Sequence, residues 1–146
     1  MSKVIEIAIS KNSGNEMLSV KSAEAIAGKG LLSDRHFKEN NSTRSQITLI
    51  ELENIDYFNQ ASGTSIPSIN FRRNIITKGV RLNQLIGMKF MVGPVKLKAH
   101  DLCRPCKYLQ DLLSQKKLVE KLMEKGGLRC EILINGKISI DDPILF

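Results

Sequence analysis

The chain has no tryptophan, only two tyrosines and five phenylalanines, and three cysteines in 146 residues. It also lacks a long apolar run: no stretch approaches the ~20 residues that a membrane-spanning helix requires. An odd, small number of cysteines does not build the disulfide framework of a small secreted domain, so the thiols are expected to be free in a reducing compartment. The opening Met-Ser-Lys-Val-Ile-Glu-Ile-Ala-Ile-Ser has a short apolar stretch broken by Glu6 and no small-residue cleavage site, and is not a secretory leader. A cytoplasmic location without a membrane partner is therefore the expectation. Internal repeats, low-complexity tracts and linkers are missing too, which points to one domain spanning residues 1–146.

What is present is positive charge. Twenty-two basic against fifteen acidic side chains give a formal charge of +7. Such an excess suits a nucleic-acid surface or a recess for an anionic small molecule. Scarce aromatics and the lack of any nucleic-acid motif argue against the first. Part of the excess is also dispersed, because Lys116, Lys117, Lys121 and Lys125 alternate with Glu120 and Glu124 at helical spacing, as on a solvated helix face.

Hydrophobic periodicity predicts many short strands and few helices. Strands are expected at Val4–Ile9, Met17–Val20 (returning after a turn at Lys11–Asn15), Glu24–Ala27, Gln46–Ile50, Lys89–Val92 and Val95–Ala99. A further pair at Arg129–Ile134 and Lys137–Ile140 flanks Asn135-Gly136, the preferred dipeptide of a type I′ hairpin. Helices are expected from Glu51 to Ser62, from Pro105 to Leu113 and from Lys116 to Glu124, the last ended by Gly126-Gly127. Without regular strand-helix alternation, the architecture expected is a mainly antiparallel β barrel with two or three peripheral helices.

Chemistry concentrates at Leu102-Cys103-Arg104-Pro105-Cys106-Lys107. Pro105 pre-sets the first turn of the following helix and keeps Arg104 extended, leaving Cys106 near a helix N-terminus between two cations. That setting favours a thiolate, so Cys106 reads as a nucleophile or a soft-metal ligand. Cys103 is a candidate resolving thiol, and Cys130, in an apolar strand, a core residue. His100, Cys103, Cys106 and Cys130 together would make a structural zinc set, an alternative weakened because only one pair has zinc-finger spacing. Upstream, Arg72 and Arg73 precede Asn74. If both are extended they face opposite ways, and Arg73 with Asn74 is the more useful pair.

Four blocks then occur in order: Gly30-Leu31-Leu32-Ser33-Asp34-Arg35-His36; Phe71-Arg72-Arg73-Asn74-Ile75-Ile76 running on to Gly87; Leu102-Cys103-Arg104-Pro105-Cys106 with Leu109; and Gly127-Leu128-Arg129-Cys130 with Gly136 and Asp142-Pro143. Together they resemble the MOSC domain, the module named after the C-terminal part of molybdenum cofactor sulfurases, over nearly all the chain from about Val20. Ser33 departs from the pattern, standing where many relatives carry glycine.

The resemblance implies a MOSC-type β barrel in which Cys106 is the key thiol. It serves either as ligand to the molybdenum of a pterin cofactor, as in amidoxime-reducing relatives, or as a sulfur carrier holding a persulfide, as proposed for small stand-alone members. It also places the Asp34-Arg35-His36 loop near the site. Arg35, His36, Arg73 and Asn74 then become candidates to hold the anionic part of molybdopterin, with Arg129 a further candidate and Asp34 read as a loop-structuring residue. In sulfurases a separate pyridoxal-phosphate domain supplies the sulfur. No such domain is seen in this chain, so it is not expected to be the desulfurase or to bind pyridoxal phosphate covalently, and a cysteine desulfurase or redox protein is the implied partner. The competing class is a non-catalytic module that binds an anionic ligand.

Overall fold

The β-branched alternation near the N-terminus becomes β1 (Lys3–Ile9), whose Val4, Ile7 and Ala8 are buried. It pairs antiparallel with β2 (Leu18–Val20), as the expected hairpin requires, with Ile7 opposite Val20 and Ile9 opposite Leu18. The computed structural model describes residues 1–12, 16–104 and 107–146; the side chains of residues 107 and 108 are likewise outside the description. The tip of that first turn, residues 13–15, and Pro105 and Cys106 therefore lie outside the described residues.

Two sheets form the body. The larger has eight strands: β5 (Ile47–Glu51), β6 (Ile75–Lys78), β7 (Lys89–Val92), β8 (Val95–Leu102), β9 (Leu128–Ile134) and β11 (Ile144–Leu145) join β1 and β2 in the order β11-β7-β8-β9-β5-β6-β1-β2. The smaller is built from β3 (Ser22–Ile26), β4 (Gly30–Leu31) and β10 (Gly136–Ser139), ordered β10-β3-β4. All pairs are antiparallel except β5 with β6. Parallel neighbours need a crossover, and α1 (Leu52–Ser62) followed by a 3-10 turn at Ser68–Phe71 supplies it. The main apolar core includes Ile7, Ala25, Leu31, Leu49, Ile75, Leu97, Cys130 and Ile138. A second cluster, Ile50, Ile55, Phe58, Phe71, Ile76, Leu109, Leu118 and Leu122, packs α1 with α2 (Lys107–Leu112) and α3 (Leu118–Lys121) against the other side of β5 and β6. Among the described residues, no helix is long and apolar enough to cross a membrane.

Mainly β with three helices is the observed class, but the sheet is not closed into a barrel. No ladder joins β2 to β11. The nearest approach to closure is an isolated bridge between Lys3 and Pro143, the residue before β11. A second correction concerns Asn135-Gly136. β9 and β10 do not pair with each other; β9 lies between β8 and β5, and β10 crosses to β3. Asn135 turns the corner by accepting a hydrogen bond on Oδ1 from the Ala27 N–H at 2.6 Å, a side-chain use of Asn that the dipeptide signal does not anticipate. The third helix is also shorter than its charge pattern suggested. Lys121, read as solvated, donates through Nζ to Ser62 Oγ at 2.9 Å and to Ala61 O at 3.3 Å, docking α3 onto the end of α1.

Candidate functional site

The loop after β4 is organised by a carboxylate. Asp34 has a side chain with no exposure, and its Oδ1 accepts the Ser10 N–H at the end of β1 at 3.0 Å. Its Oδ2 accepts the His36 N–H at 3.3 Å, and Arg35 Nη1 stands 3.5 Å from Oδ1. The Arg35 N–H donates in turn to Ser10 O at 2.6 Å. One buried acid thus fixes the direction of both basic side chains that follow it. Ser33 just before it has φ of 69°, the left-handed region in which glycine is at ease. The position where relatives carry glycine is therefore one that needs its backbone freedom.

Arg35 is largely buried, at 8 % side-chain exposure. Its Nη2 donates to Arg72 O at 3.3 Å and its Nη1 lies 3.2 Å from Met17 Sδ. His36 is half-exposed, and its imidazole pKa is lowered from 6.5, first by desolvation and then by the Arg35 cation; Asp34 opposes this, while Arg129 and Arg72 add to it. Basic side chains from three segments, Arg35, Arg72 and Arg129, thus act on the imidazole in the same direction.

The segment from Phe71 to Asn74 is not extended. The 3-10 turn at Ser68–Phe71 ends with Arg72 in the left-handed region, φ 63°, and β6 begins only at Ile75. The alternation argument for Arg72 and Arg73 assumed extended backbone, and the turn removes that premise. Arg73 and Asn74 point into the protein. The Asn74 Nδ2 donates to Ala8 O at 3.1 Å, and its Oδ1 accepts from both the Thr48 N–H (3.1 Å) and the Thr48 hydroxyl (3.2 Å), tying β1, β5 and the start of β6 together. Arg73 donates through Nε to Gly126 O at 2.9 Å, and through Nη1 and Nη2 to Phe71 O and Arg104 O, each at 3.4 Å. Both side chains are buried and hydrogen-bonded within the protein, whereas Arg72 is partly exposed, and the left-handed turn after Pro67, invisible in an alternation count, sets them apart.

Next to Arg35 lies a pocket of about 440 Å³ lined by Glu16, Met17, Ile69, Asn70, Arg72, Leu112 and Leu113. It shares Arg72 with the basic group and Met17 with Arg35. One wall comes from the end of α2 and its successor, the helix that follows the cysteine turn.

Cys106, the expected catalytic thiol and molybdenum ligand, lies outside the described residues. Its approach is well defined. β8 ends with Leu102 opposite Leu128, and the Cys103 N–H donates to Gly127 O at 2.7 Å. Cys103 is 5 % exposed and Cys130 fully buried. Burial, with Cys103 and Asp101 adding to it, pushes the Cys130 thiol far up, so it is held as an inert thiol. His100 of the candidate zinc set has Nε2 2.8 Å from Glu131 Oε1.

Residues 33–145 match the family model of the MOSC domain. The chain belongs to the MOSC domain family. Its fold is similar to that of the YuaD protein of Bacillus subtilis, with 18 % identity, a TM-score of 0.81 and coverage of 99 % of this chain and 94 % of that one. It is similar as well to YiiM of Geobacillus stearothermophilus (15 % identity, TM-score 0.78, 99 % and 74 % covered) and YiiM of Escherichia coli (17 %, 0.71, 99 % and 69 %). No curated protein matches the sequence.

MOSC domains are associated with molybdenum-cofactor-related proteins, and the residues of this chain meet such a group unevenly. Arginine and histidine are the donors a pterin phosphate takes; His36 is half-exposed, whereas Arg35, Arg73 and Asn74 are largely buried with polar atoms bonded within the protein.

Proposed function

We propose that this MOSC protein works through Cys106 as a thiolate, carrying sulfur as a persulfide or ligating the molybdenum of a pterin cofactor, next to a basic hollow that receives the anionic group. The observation that supports the proposal is the Asp34-ordered loop, which sets Arg35 against the Arg72 carbonyl and Met17 at the edge of a pocket that both of those residues line. The hollow connects to the cysteine turn through residues 72–73: Arg35 bonds Arg72 O, and Arg73 bonds Arg104 O, two residues before the thiol.

In the carrier reading the Cys106 thiolate attacks the outer sulfur of a donor persulfide. The S–S bond of the donor breaks, its thiolate departs with the electron pair, and Cys106 holds the sulfane sulfur; no external oxidant or reductant is needed. The hollow's cations stabilise the negative charge that moves between the two partners. In the cofactor reading Arg35, Arg72, His36 and Arg129 hold the phosphate, Cys106 is the soft donor, and the bound metal supplies redox chemistry.

Two measurements on the purified protein separate the readings. Incubation with a cysteine desulfurase and cysteine should add sulfur to Cys106, detected by peptide mass spectrometry and absent in Cys106→Ser. Expression in a host that makes molybdopterin should leave molybdenum and pterin on the protein in the cofactor reading. Neither added sulfur nor metal on wild type would refute both, and leave the non-catalytic anion-binding module in their place.

A further inference from the structure

We infer that Arg73 is a positioning residue: a buried tie that sets the cysteine turn, and not a ligand-binding cation. Its functional consequence rests on the reading of Cys106 as the working thiol; its structural part stands alone.

Arg73 is 8 % exposed, yet among the described residues no carboxylate forms an ion pair with it. A buried cation is normally paired. Here the guanidinium instead spends its donors on three backbone carbonyls from three separate segments: Phe71 in the turn before β6, Arg104 after β8, and Gly126 before β9. A rigid planar fork suits this use, because its donors diverge in one plane at fixed spacing.

One of the segments it joins leads directly into Cys106 in the sequence. Gly127 has φ of 100°, and a Cβ there would run into Leu49 O, so the turn before β9 is pressed directly onto β5. The Cys103 N–H reaches Gly127 O at 2.7 Å, and Arg73 ties the adjacent Gly126 to Arg104. Two links thus hold residues 103–104 against a turn that is itself fixed to the central sheet. Arg104 is exposed, and its carbonyl accepts from Arg73 Nη2. Losing that bond removes one of the two links.

The test compares wild type, Arg73→Ala and Arg73→Lys by amide hydrogen exchange and by sulfur loading. Lysine keeps the charge and most of the stem but cannot reach three carbonyls at once. In both variants the Cys103 amide should exchange about tenfold faster, while strand amides of β5 and β9 stay protected. Sulfur loading of Cys106 from desulfurase and cysteine should slow by about tenfold or more. Millimolar guanidinium ion should restore both readouts in Arg73→Ala and neither in Arg73→Lys, a rescue that general destabilisation would not show. If Arg73→Ala fails to fold, Arg73→Lys carries the exchange test alone. Unchanged Cys103 exchange in a folded variant, or wild-type behaviour of Arg73→Lys, would overturn the inference. A wild type that takes no sulfur but whose Cys103 exchange responds to Arg73 refutes the carrier reading and keeps the tie.

Discussion

Asp34, Ser33 and His36 show at single-residue scale how the hollow is made. Removing the buried carboxylate leaves the Ser10 and His36 N–H groups without their acceptor and Arg35 without its counter-charge. Asp34→Ala should cost about 3 kcal/mol, read as a shift in denaturant midpoint, and should release both basic side chains. Ser33→Gly should do the opposite. Its left-handed backbone favours glycine, and the gain is about 1 kcal/mol or less once the greater freedom of the unfolded chain is counted. For His36 the sign of the pH effect follows from its lowered pKa. The unfolded imidazole takes up a proton near 6.5 while the folded one still resists, so stability contributed by this residue is intact above 6.5 and falls as pH drops below it. NMR titration of His36 should give a midpoint below 6.5 that rises when inorganic phosphate is added. A midpoint unmoved by phosphate would contradict an anion site here. The basic loop was legible in the sequence only through resemblance, since an Asp-Arg-His triplet alone is equally a solvated loop. What decided its use, the reach of Asp34 back to Ser10, is a contact across 24 positions that no local pattern contains.

Strands with clear alternation and the long helix α1 could be read directly, because burial of one face imposes its period on the residues: Val4 to Ile9, Gln46 to Ile50 and Val95 onward all became strands. Failures came where a local signal competed with a tertiary contact. Asn135-Gly136 has the composition of a tight hairpin, yet Asn135 bonds Ala27 and sends β10 to the other sheet. Asn135→Ala should therefore lower stability by roughly 1 kcal/mol. An Asn in an isolated hairpin turn would owe that loss to its turn conformation, whereas here Asn135→Asp, which keeps the acceptor, should recover most of it. Gly127, read as a helix stop, lies six residues beyond the end of α3 and serves close packing instead. Gly127→Ala should cost on the order of 4 kcal/mol or prevent folding, because the obstacle is the Leu49 carbonyl of a central strand. The burial of Arg73 and Asn74 was hidden for the same kind of reason: their neighbour Arg72 adopts a left-handed conformation that no alternation count contains.

On the scale of the molecule, an open eight-stranded sheet and a three-stranded one enclose the main core, and Cys103 at the end of β8 is held against the turn before β9. The overall class and the family were visible in the order of four sequence blocks; the open sheet and the route of β10 were not, because strand order depends on contacts between distant segments. Two of the three thiols are buried in this arrangement. Iodoacetamide applied to the folded protein at neutral pH should accordingly label Cys106 and spare Cys103 and Cys130, whereas all three should react after unfolding. The central claim is that Cys106 is an ionised, accessible thiol beside fixed positive charge. Its most direct measurement is the alkylation rate of Cys106 as a function of pH, followed peptide by peptide in the native protein. The account predicts a half-maximal rate well below the ordinary cysteine pKa of about 8.5, moving upward in Arg72→Ala and Arg129→Ala. A Cys106 that reacts only after unfolding, or with a midpoint at or above 8.5 and indifferent to both arginines, would contradict it.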